Sequence, residues 1–119
     1  MLGNKKMIQF TIVGIIERKI HFTNTNTIFD KIEFQYVNEG ELQAYNEMLV
    51  DVKVMDENEF VSKYLNIIIK LAVRFENEEF TNEREKEKMS GHNNAIVSIL
   101  ECITPIYKYD LNDNQPELN

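Results

Sequence analysis

The sequence predicts an α+β domain: a four-stranded antiparallel sheet followed by a C-terminal amphipathic helix. Three observations carry this. Apolar and polar residues alternate in successive runs from Ile8 to Phe75, the period of a half-buried strand. The period then lengthens to helical spacing at Ile96, Ile99, Leu100 and Ile103. Strands that come first and a helix that comes last segregate as they do in α+β domains. A chain of 119 residues suits one domain. Its bounds are placed at 1–110, with a polar C-terminal tail over 111–119.

In the first run Ile8, Phe10, Ile12, Ile16, Ile20 and Phe22 share one parity, and Gly14 suits a bulge between them. Thr23 to Thr27 is polar and reads as a loop. The second run sets Ile32, Phe34 and Tyr36 against Lys31, Glu33 and Gln35, and Asn38 to Glu41 looks like a turn. The third sets Met48, Val50, Val52 and Val54 against Glu47, Asp51 and Lys53. A polar turn over Asp56 to Glu59 then implies a hairpin. The fourth run is the most apolar: Val61, Leu65, Ile67, Ile69, Leu71, Val73 and Phe75 share a parity, which suits a central strand. Residues 76–88 are almost wholly charged and read as a solvated helix or a mobile connection. Ser90 to Asn94 interrupts them, and Asn93 or Asn94 can cap the final helix, which Pro105 ends near Thr104. Cys102 falls in that helix as a small buried apolar side chain. One helix covers only part of a four-stranded sheet. Val13, Ile15, Leu49, Ile68 and Ala72 lie on the strands' second face, so a homo-oligomer (dimer or tetramer) or an obligate partner is expected.

Composition narrows the function. The chain is 43% hydrophobic and 28% charged, which suits a globular protein. Thirteen basic against twenty acidic residues give a net charge of −7. That argues against direct nucleic-acid binding and against docking on anionic membranes, both of which need basic surface. No signal peptide is expected at the N-terminal segment, since Gln9 and Thr11 break its apolar run, and the cytoplasm is the expected compartment.

No catalytic motif is present, so an enzyme is not expected, nor is a cofactor. Four glycines cannot supply a phosphate-binding loop at the required spacing. His21, His92 and the single Cys102 do not make a metal-ligand pattern. The Glu-rich stretch lacks the alternating ligands and the turn glycine of a calcium loop. Among the aromatics, Phe22 and Phe29, with Ile28, flank the Thr/Asn loop. Apolar side chains there suit a site for apolar peptide, and the plainer alternative is that they tack the loop to the core.

The order of elements resembles the SecB export-chaperone family. Three features carry the resemblance: the run from Met7 to Phe22 with Thr23-Asn24 and Ile28-Phe29 after it, the four strands up to Phe75, and Leu100-Glu101-Cys102-Ile103-Thr104 ahead of Pro116-Glu117-Leu118-Asn119. The resemblance implies a tetramer, built as a dimer of dimers, that holds unfolded chains in apolar grooves between sheet and helix without nucleotide. Carried onto this sequence, the groove residues are Phe22, Ile28, Phe29, Tyr64 and Tyr107, and the contact between dimers uses Ile96, Ile99 and Ile103. The chain departs from the family at Pro105, in its Glu/Lys run, and in lacking a second helix and acidic tail, which puts contact with the export motor in doubt.

Two functions follow. The first is a non-enzymatic chaperone or protein-binding module that holds unfolded or apolar polypeptide. The alternative is a small acidic inhibitor (an immunity, antitoxin or phage counter-defence protein) that blocks one protein partner through Glu83, Glu85 and Glu87. A virion or plasmid structural subunit is the third possibility.

Overall fold

The structure is a computed structural model that describes residues 2–25 and 34–103, with side chains from Gln9 onward in the first segment. The described residues form four α-helices and no strand: α1 (Leu2–Thr25), α2 (Gln35–Val54), α3 (Glu57–Glu76) and α4 (Glu83–Ile103). The predicted antiparallel sheet, and with it the α+β class, is therefore corrected to an all-α bundle. The 111–119 tail lies outside the described residues, as does Pro105.

The correction has a physical reason. A step of four residues preserves parity, yet it also keeps a residue on one helix face. Ile12, Ile16 and Ile20 satisfy both periods. The positions that separate them are the others. Phe10 and Phe22 share their parity but are 80% and 63% exposed, while Val13, of opposite parity, packs against the core. Of the second run, Gln35 and Tyr36 begin helix α2, Phe34 precedes it and residues 31–33 lie outside the described residues. The third run is part of the same helix, and the expected turn at Asn38 to Glu41 lies inside it. In α3, Tyr64 sits on the polar parity and is fully buried, whereas Ile69 and Val73 sit on the apolar parity and are exposed. The expected hairpin turn at Asp56 is a helix start: Asp56 Oδ1 accepts from Glu59 N at 2.8 Å, and Glu59 Oε1 accepts from Asp56 N at 3.1 Å. This reciprocal pair is a capping box. The final helix begins at Glu83, not at Asn93 or Asn94, and runs through the expected Ser90–Asn94 break. Asn82 Oδ1 accepts from Glu85 N at 2.9 Å at its start. Cys102, expected inside, is exposed.

The helices alternate in direction. Tyr36 meets Arg84, Glu39 meets Lys88 and Tyr45 meets Ser98, so positions rise together along α2 and α4 and these two helices are parallel. Gln9 donates to the Val52 carbonyl at 2.7 Å, which sets α1 antiparallel to α2. Arg74 at the end of α3 pairs with Glu85 at the start of α4. In a square up-down-up-down bundle the first-and-third or second-and-fourth helices sit across a diagonal. Here α2 and α4 touch directly, and theirs is the most extensive helix contact, while α1 and α3 hardly meet.

Two glycines permit this approach. A Cβ on Gly40 would lie 2.8 Å from the Lys88 carbonyl carbon, and closer still to its oxygen. A Cβ on Gly91 would lie 2.8 Å from the Val37 carbonyl carbon, and again closer to the oxygen. Both helices present bare backbone where they cross. Around the crossing, Ile12, Ile16, Ala44, Met48, Phe60, Tyr64, Ile96, Ile99 and Leu100 form one core.

Candidate functional site

The structure disperses the residues that the sequence grouped. Phe22 is exposed near the end of α1. Ile28, Phe29 and Tyr107 lie outside the described residues. Tyr64 is fully buried and gives its hydroxyl to Asp51 Oδ2 at 2.7 Å, so it has no surface to offer a peptide. With no sheet among the described residues, the groove between sheet and helix has no counterpart there. Ile96 and Ile99 are fully buried in the core of a single chain, and Ile103 is half-buried against it. Glu83 is exposed, and Glu85 and Glu87 are half-buried. Glu83 and Glu87 share a helix face, while Glu85 lies about 200° around the axis. The Glu85 carboxylate accepts from Thr81 N at 2.6 Å and from Thr81 Oγ1 at 3.2 Å. The backbone bond from Thr81, then its hydroxyl and Arg74, hold that carboxyl below the usual range. The three glutamates do not make one surface.

One titratable cluster is half-buried. Asp51 on α2 receives Lys63 Nζ at 2.5 Å and Tyr64 OH at 2.7 Å, both from α3. Burial alone would raise the Asp51 pKa, but the two hydrogen bonds outweigh it and the carboxyl stays below its ordinary value. Burial first, then the bond to Asp51, pushes the Tyr64 hydroxyl far up. A phenol locked in its neutral form beside a paired carboxylate is a helix clamp rather than an acid–base pair. None of the three lines either of the two pockets described below. Among the described residues no three His, Cys, Asp or Glu side chains converge on a possible metal position, and no helix is long and apolar enough to cross a membrane.

Two surface features remain. The first is a stripe on α3. Leu65, Ile68, Ile69, Ala72 and Val73 recur at i, i+3, i+4, i+7 and i+8, the spacing of one helix face. This face adjoins the one that buries Phe60, Tyr64 and Leu71. Leu65 and Ile68 form its half-buried margin, and Ile69 and Val73 are 54% and 47% exposed. No charged residue interrupts these five positions. The second feature is a groove of about 510 Å³ between α3 and α4, beside α2. Ile67, Leu71 and Met89 line it, with Arg74, Arg84 and Lys88. A smaller cavity of about 290 Å³ lies at the far end, among Gln9, Ile12, Val52, Phe60 and Ile103.

No family model, curated protein or solved structure matches this chain. These comparisons leave the export-chaperone resemblance without support or opposition.

Sequence reasoning missed the α3 stripe because it assigned Ile69 and Val73 to the buried side of a strand. The i, i+3, i+4 recurrence was the available signal. The groove had no such signal, since its cations come from two helices.

Proposed function

We propose that this protein is a non-enzymatic protein-binding module that holds an apolar segment of a partner polypeptide against the outward face of α3. The uninterrupted stripe of Leu65, Ile68, Ile69, Ala72 and Val73 carries this reading. An exposed helix in a monomeric bundle carries polar residues on its outer side. Contiguous apolar surface is instead what helix-on-helix recognition uses. The net charge of −7 supports the reading, because like-charge repulsion keeps a protein with exposed apolar surface in solution.

The test is solution mass by light scattering, with and without a reduced, unfolded client protein. The wild type is expected to gain mass with the client. The double variant Ile69→Glu/Val73→Glu is expected to keep its helical circular dichroism and lose that gain. A wild type indifferent to the client would remove the holding activity. An unaffected double variant would remove α3 as its seat.

A further inference from the structure

We propose that the groove between α3 and α4 is a binding site for an acidic peptide segment carrying an apolar side chain. Its walls reverse the charge of the molecule. Against a net charge of −7, Arg74, Arg84 and Lys88 line this one groove, and Glu85 is the carboxylate among its lining residues. That carboxylate is already committed to Thr81 at the start of α4.

The cations are held in place but weakly neutralised. Arg74 stands 3.9 Å from Glu85, and Lys88 stands 3.8 Å from Glu39, both near the outer limit of an ion pair. Exposed pairs of this kind contribute little and yield readily to a better-placed anion. Arg84 donates to the Tyr36 hydroxyl at 2.8 Å and lies 4.6 Å from the centre of that ring. An uncharged phenol orients the guanidinium without cancelling its charge, which leaves its remaining donors for a carboxylate. Beneath the cations, Leu71 and Met89 are buried and Ile67 is half-buried. That floor accepts an apolar side chain lying between two acidic ones. A volume of about 510 Å³ is in the range of ligand sites. An open groove with cations along its rim suits a chain segment better than an enclosed small molecule does.

The site is separate from the stripe. Ile67 and Arg74 are seven residues apart and share a face of α3, while Ile69 and Val73 lie about 200° and about 240° around from Ile67. Either site can therefore fail without the other.

The experiment measures fluorescence anisotropy of an end-blocked, fluorescein-labelled peptide, Glu-Leu-Asp-Leu-Glu, with the full chain at low salt. The peptide is expected to bind, and to weaken about tenfold or more when its acids become the matching amides. Arg84→Gln/Lys88→Gln is expected to cause a comparable loss, and Lys88→Glu a larger one. Arg84 is exposed and Lys88 half-buried, and circular dichroism checks that the fold survives their loss. Ile69→Glu/Val73→Glu is expected to bind the peptide as the wild type does. No binding by the wild type, equal binding of the amide peptide, or undiminished affinity in the Arg84 and Lys88 variants would each overturn the assignment.

Discussion

Gly40 and Gly91 do a job that no other residue can do at their positions. Each faces a carbonyl of the other helix at a distance that leaves no room for a methyl group. Alanine in a helix is favoured over glycine by about 0.5–1 kcal/mol. Forcing an extra carbon into a packed contact costs about 1–3 kcal/mol. Here the obstacle is backbone, which cannot swing aside as a side chain does, so the steric cost dominates. Gly40→Ala and Gly91→Ala are each expected to lower stability, by up to about 2 kcal/mol net of the helix gain, in urea denaturation. A variant more stable than the wild type would mean that α2 and α4 do not approach this closely. Gly14 gives the internal comparison: nothing lies within 4 Å of its Cβ position, so Gly14→Ala is expected to be neutral or stabilising. The sequence contains four glycines, and nothing in it marks Gly40 and Gly91 as the two that need bare backbone. Local pattern places these two in a turn and a break, because a glycine inside a helix only makes sense once the partner backbone is known.

The start of α3 was legible in composition but misassigned in kind. Asp56-Glu57-Asn58-Glu59 suits a polar turn, and it equally suits a helix N-terminus, where Asp at the cap and Glu three residues on satisfy free N–H groups. The acids there also face the positive end of the helix dipole. Asp56→Ala is expected to destabilise the protein by about 1 kcal/mol, with Asp56→Asn recovering most of the loss. A shift in Tm on that scale for Asp56→Ala, and little for Asp56→Asn, is the measurement. The rest of α3 misleads for a related reason. A helix apolar on its core face and again on the adjoining outer face fills both parities. Its run of Ile and Val then imitates a central strand. The candidate site on α3 was thus present in the sequence as residues but hidden as a surface.

Across the whole molecule, charge and burial set the pH response. His92 on α4 is largely buried, and burial lowers its pKa despite Glu47 Oε1 at 3.8 Å, which pulls the other way. The unfolded chain then binds a proton more readily than the folded one. Its contribution to stability is complete above the ordinary value of 6.5 and is lost as pH falls below that towards the lowered folded value. Asp51 acts with the same sign in a lower window, below its ordinary value of 3.8. Glu41, whose pKa burial raises, acts in the opposite sense: its contribution is present below 4.5 and lost as pH rises. The His92 effect is isolated by difference. Wild-type stability minus that of His92→Gln is expected to grow as pH rises towards 6.5 and to level off above it. A flat difference would mean that the imidazole titrates alike in both states.

What the sequence determined by itself was bulk character: enough apolar residues for a core and a net charge of −7. It also located α4's apolar face at Ile96, Ile99, Leu100 and Ile103, where helical spacing breaks parity. Elsewhere the i+4 step serves strand and helix alike, so local pattern left the choice to packing. Only the tertiary structure decided it. Burying Ile12, Met48, Tyr64 and Ile96 together requires helices. Bringing α2 against α4 requires bare backbone at Gly40 and Gly91. The groove is likewise a tertiary product. Arg74 and Lys88 lie on different helices and become neighbours only when α3 folds back along α4.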